Sequence, residues 1–166
     1  MTETANPMRR SYTPVLAVGI GAVAGLRTLV APAVLAWAAK HRWIRRGNSP
    51  FAAIVSAEAS TRIIDLALSE LIADKLPFTP SRLKPGPFAA RILSGAVCGA
   101  AIYGVVEQPL KEGAILGGLG ATAGALAGYH VRKRLSRNLP EWRVAVLEDV
   151  VAIGGGVLLT ALAASD

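Results

Sequence analysis

The sequence predicts an all-α, membrane-embedded bundle of about five helices, and three observations carry that prediction. Of 166 residues, 52% are apolar and only 17% are charged, against roughly 25% charged in an ordinary soluble domain. The mean hydropathy is positive. The apolar residues gather into runs close to the roughly 20 residues that a helix needs to cross a bilayer, separated by short segments rich in Pro, Gly, Lys and Arg. A water-soluble domain of this length would lack the polar residues to cover its surface. Five spans and their loops nearly exhaust the chain, leaving a polar tail over residues 1–13 and one membrane domain over 14–166.

The first span runs from Pro14 to about Ala39. Trp37 and Trp43, with Lys40, Arg42, Arg45 and Arg46, mark its interfacial end. It is too long for a signal-peptide core and carries Arg27, so no cleavable signal is expected. Pro32 should kink it, and Gly19, Gly21 and Gly25 offer a face for close helix packing. The second segment, Phe51 to Leu76, carries Glu58, Arg62, Asp65, Glu70, Asp74 and Lys75, which would be costly against lipid. At about 100° per residue, Glu58, Arg62, Asp65 and Ser69 share one thin stripe. That predicts an inserted helix with its charges turned inward, where Glu58–Arg62 and Arg62–Asp65 neutralise one another. A helix lying on the surface would show a broader polar face. A four-span form, in which this segment does not cross, stays open.

Pro77–Pro87 is a proline-rich loop ending the first half. The third helix is expected from about Phe88 to Val106, the fourth from Gly113 to about Arg134, and the fifth from Glu141 to about Ala164. Turns at Pro109 and Asn138–Pro140 separate them.

The net charge is +7, but the basic residues form short clusters between apolar runs with few aromatics beside them. They read as topology signals and lipid-headgroup contacts, not as a nucleic-acid surface. Across five spans, eleven Lys and Arg (positions 9, 10, 75, 82, 84, 91, 132, 133, 134, 137 and 143) oppose five (40, 42, 45, 46 and 111). The positive-inside rule then puts the N-terminus in the cytoplasm of a bacterial inner membrane. Cys98 is the only cysteine, excluding an intramolecular disulfide and a cysteine metal cluster.

Gly19–Gly25 and Gly118–Gly124 share the pattern G-x-G-A-x-A-G. An odd number of intervening spans would invert one copy, so two inverted helix pairs around a central third helix is one arrangement this pattern permits. The abundance of Gly and Ala in membrane helices is the other account of the match.

Several stretches, in order along most of the chain, resemble a family of small bacterial membrane proteins, domain of unknown function 4126. They are GLRT (Gly25–Thr28) with Ala31-Pro32-Ala33, SELIADKLPFTPSR (Ser69–Arg82), ARILSGAVCGA (Ala90–Ala100), GATAGALAGYHVR (Gly120–Arg132) and LPEWRVAVLEDVVAIG (Leu139–Gly154). The resemblance implies a multi-span protein and carries over no activity or site residue.

Two groups of residues could carry chemistry. Arg27, mid-span, needs a partner at similar depth, and Asp65 is the expected one, with Glu58 and Arg62 nearby. This is either a structural ion pair or a gate. Glu70, Asp74, Glu148 and Asp149, near Arg82 and Arg91, would form a cytoplasmic-side carboxylate cluster able to hold a hard cation or a proton. The alternative is that these acids salt-bridge to the neighbouring basic residues. The cluster contains no histidine, so no zinc site is expected. His41 and His130 sit at helix ends, and Gly154-Gly155-Gly156 follows no strand, so it is not a phosphate loop. No nucleophile–base pattern points to an enzyme, and no cofactor is expected. A transporter or channel-like protein for a small solute or ion is the leading expectation, with flux depending on Arg27, Asp65 or Glu148. A non-transporting subunit that binds lipid or a partner complex is the alternative, and the glycine faces would also suit a homo-oligomer.

Overall fold

Apart from Pro14, which lies inside a helix, the described prolines stand at the starts of helices, where a missing N–H costs nothing because the first-turn donors have no intrahelical acceptor. The structure, a computed structural model, describes residues 7–41, 43, 57–73 and 85–164. Those residues form six helices: α1 Pro7–Leu26, α2 Val30–Lys40, α3 Ala57–Ala73, α4 Pro85–Val105, α5 Leu110–Leu135 and α6 Glu141–Ala164. Pro7 and Pro85 are the first residues of α1 and α4, Pro32 lies in the first turn of α2, and Pro109 and Pro140 immediately precede α5 and α6. Helix α1 therefore begins inside the segment expected to be a polar tail.

The count exceeds about five because the expected first span is two helices. The chain turns at residues 27–29. Val23 and Val34 both approach the same point on α6, with side-chain atoms 3.6 and 3.4 Å from where a Cβ on Gly156 would lie. In one continuous helix these two valines would stand about 16 Å apart along the axis. Helix α2 thus folds back toward α1 as a V. Pro32 causes the interruption, as expected, but one turn upstream of itself.

Glycines set the closest packing. Helix α5 lies between α1 and α4, and these three helices make the most extensive contacts. A Cβ on Gly99 would overlap the carbonyl of Gly113, and one on Gly117 the carbonyl of Gly95. On the other side, a Cβ on Gly21 would overlap the Gly117 carbonyl, and one on Gly120 the Val18 carbonyl. The same relation links Gly25 to Ala121 and Gly124 to Ala22. The two G-x-G-A-x-A-G segments therefore pack reciprocally against each other.

Their register rises together, 18 with 120 and 22 with 124, so α1 and α5 run parallel. An inverted pair would run antiparallel, and that expectation is corrected. The bend also adds a reversal that the five-span charge count did not include. The N-terminal end of α1 and the basic last turn of α5 (Arg132, Lys133 and Arg134) lie at opposite ends of the bundle, not on one side.

Helices α2, α3 and α6 form a second group, with α6 on α1 and α2, and α3 on α2. Helix α3 turns buried Ala67 and half-buried Ile63 and Ile64 inward, while Arg62, Asp65 and Ser69 are exposed. The stripe expected to face the bundle faces away from it, because α3 packs through its apolar side. Helices α4, α5 and α6 are long and apolar enough to cross a membrane. They expose Leu93, Ile115, Leu119, Val150 and Leu158, a surface suited to hydrocarbon and costly in water. Helix α4 ends in a Schellman motif: Gln108 N–H bonds to the Tyr103 carbonyl and Glu107 N–H to that of Gly104, with Glu107 at φ 55°.

Candidate functional site

The α1–α2 turn is also where the buried charges meet. In a continuous helix the residue-32 amide would bond to the Thr28 carbonyl, but Pro32 has no N–H to donate. The Ser94 hydroxyl of α4 donates to that carbonyl instead, at 2.5 Å. One turn earlier on α4, Arg91 is 4% exposed, and its Nη1 donates to the Gly25 carbonyl at 3.2 Å. Interrupting a helix in an apolar interior exposes backbone acceptors that must be satisfied from elsewhere. Here α4 supplies the donors.

Arg27 follows the last residue of α1, where the helix carbonyls carry partial negative charge. It has no exposed surface, and its Nη2 lies 2.5 Å from Asp149 Oδ1 of α6. The preceding residue, Glu148, faces Arg132 of α5 across 3.7 Å. Gly128 lies beside this pair and lets the Leu26 side chain come close, since a Cβ there would stand 2.8 Å from Leu26, while the Glu148 carboxylate would be at an ordinary 3.7 Å. Three arginines and two carboxylates, drawn from the turn itself and from α4, α5 and α6, are thus gathered around it. Among the described residues, no group of three or more His, Cys, Asp or Glu could hold a metal ion. Asp149 and Glu148 are instead matched to guanidinium groups.

The arrangement differs from the expected one in its pairing. Asp65 is exposed on α3 and does not meet Arg27; its backbone carbonyl accepts a hydrogen bond from Ser69 at 2.8 Å. Arg62 is likewise exposed. Glu148, Asp149 and Arg91 are brought to the turn beside Arg27. The side chains of Glu58 and Glu70, and Asp74 and Arg82 entirely, lie outside the described residues. Sequence reasoning missed Arg132 as the Glu148 partner and Ser94 as the cap on the turn. The signal for Ser94 was present in the four-residue spacing of Thr28 and Pro32, which marks Thr28 as an open acceptor. Cys98 is buried, as a packed thiol would be.

The segments that build this site are those that carry the resemblance noted in the sequence: GLRT at the turn, ARILSG on α4, and the Glu148-Asp149 stretch of α6. A family model described as Domain of unknown function (DUF4126) matches residues 15–164. The chain belongs to this family. The matched range takes in every residue of the charge cluster, so the DUF4126 region and the bundle from α1 through α6 nearly coincide. No curated protein and no solved structure matches the chain.

Proposed function

We propose that this DUF4126 protein is a multi-pass protein of a bacterial inner membrane that moves a small solute or ion past the charged turn between α1 and α2, and catalyses no reaction. One observation supports this reading above the others. Fully buried Arg27 meets Asp149 at the point where a helix is interrupted. Charges inside a membrane are costly and concentrate in functional places. A rivet that merely fixes helix register needs neither the interruption nor a second acid, Glu148, beside the first. Transporters place substrate sites where discontinuous helices expose their ends. The pair also links the end of α1, in the glycine-packed group, to α6 in the second group, beside the apolar core that the two groups share.

The test uses proteoliposomes and a panel of small ions and metabolites. The double variant Arg27→Leu/Asp149→Leu keeps an apolar contact in place of a buried ion pair, an exchange that is often neutral or stabilising. It should remain folded and lose flux, whereas Asp65→Asn on the exposed side of α3 should keep it. Flux at the parental rate through the double variant would replace this reading with a non-transporting subunit that binds lipid or a partner complex.

A further inference from the structure

Between α2, α3 and α6 lies a cavity of about 250 Å³, open along one side. Val34, Trp37, Ile64, Ala67, Ile153 and Val157 are among its walls. Ala67 closes it at depth, being 4% exposed, while Trp37 and Ile153 at 36% and 43% mark the open side. The cavity is smaller than the roughly 300–1,000 Å³ of a typical small-molecule pocket, and a partner helix, about 10 Å across, would not fit into it. Its aliphatic walls offer nothing to a polar solute.

Chemistry changes at the Trp37 end. The His41 ring lies 4.5 Å from the Trp37 ring, and Trp43 meets Trp37 edge-on at 4.9 Å. His41 Nδ1 is 2.9 Å from the Trp37 carbonyl. Lys40, exposed, is the last residue of α2 and stands three positions beyond Trp37, on the same side of the helix. Tryptophan beside a basic side chain is what the headgroup level of a bilayer favours. A cationic, aromatic mouth over an aliphatic channel complements a molecule with an anionic head and a hydrocarbon tail.

We propose that this groove holds one acyl chain of an anionic phospholipid, with the phosphate against Lys40 beside the Trp37–His41–Trp43 cluster. The site is separate from the charged turn, and the proposal stands whether or not the protein transports anything. Replacing Trp43 and Trp142 by Phe leaves Trp37 as the sole tryptophan of the full chain, which has three. This protein is placed in phosphatidylcholine vesicles containing an equal mole fraction of either acyl-brominated phosphatidylglycerol or acyl-brominated phosphatidylcholine, and quenching of Trp37 is measured.

Phosphatidylglycerol should be preferred roughly fivefold, the ratio that one lysine contributes near an anionic surface. Lys40→Gln should remove that preference. Ala33→Leu, which enlarges a wall residue, should remove it too and weaken quenching by both lipids. Val157→Phe blocks the groove from α6 and serves if the first filler variant does not fold. Equal quenching by the two lipids in the parent would overturn the proposal. So would a preference that survives both filler variants, since enrichment of anionic lipid around the whole protein would then explain it.

Discussion

At the residue scale, Arg27 governs the molecule. Its guanidinium has no exposed surface, so removing Asp149 leaves a cation stranded where water cannot reach it. Asp149→Asn and Arg27→Leu should each cost on the order of 3–5 kcal/mol, read as a fall in the denaturation midpoint in micelles. The double leucine variant should recover most of that loss, and a double-mutant cycle reports the coupling. Additive losses would show that the two side chains act independently. The Arg132–Glu148 contact spans 3.7 Å between a guanidinium 24% exposed and a carboxylate only 9% exposed, so Arg132→Leu should cost more than the roughly 1 kcal/mol of a surface pair. The need for a counter-charge to Arg27 was legible, because an arginine in an apolar run cannot be left unpaired. Its identity was not. A simple depth count put Asp65 level with Arg27 and Asp149 on the cytoplasmic side, whereas the fold brings Asp149 to Arg27.

At the scale of elements, glycine placement determines which helices can touch. Gly117 is pressed from both sides: a Cβ there would strike the backbone of α4 at Gly95, and its own carbonyl lies where a Cβ on Gly21 would go. Gly117→Ala should therefore destabilise the bundle by about 1–3 kcal/mol, as overpacking does. Gly154, with nothing within 4 Å of a built Cβ, offers the contrast. Gly154→Ala should raise stability by up to about 1 kcal/mol through helix propensity alone. Thermal midpoints of the two purified variants check both signs, and a stabilising Gly117→Ala would refute the packing of α5 between α1 and α4. The small-residue faces were visible in the sequence. That they are spent inside one chain, on α1, α4 and α5, was not visible, because the same glycines would serve association of separate copies equally well.

For the whole molecule, the decisive relation is the parallel course of α1 and α5. In a Cys98→Ala background, cysteines introduced at Tyr12, Lys111 and Arg134, all exposed, report it through labelling with a membrane-impermeant thiol reagent. Positions 12 and 111 should label from one side and 134 from the other. Labelling of 12 and 134 from the same side would restore the five alternating spans and dismantle the V. The same reversal bears on the count of lysines and arginines: the positive-inside rule is applied to an assumed number of crossings, and the turn at 27–29 reverses the chain without adding a polar loop.

By itself the sequence determined that this protein is helical, that it carries apolar runs long enough to cross a membrane, and that Arg27 must be matched by an acid. Those properties follow from composition, run length and the cost of unsolvated charge, all of which act locally along the chain. Only the tertiary structure decided that α2 folds back, that Asp149 and not Asp65 faces Arg27, and that the polar stripe of α3 lies outside. Each of these depends on which surfaces meet, and several pairings of the same apolar faces bury similar area. The choice among them falls to the interlocking of small residues between α1, α4 and α5, and to the amide that Pro32 lacks.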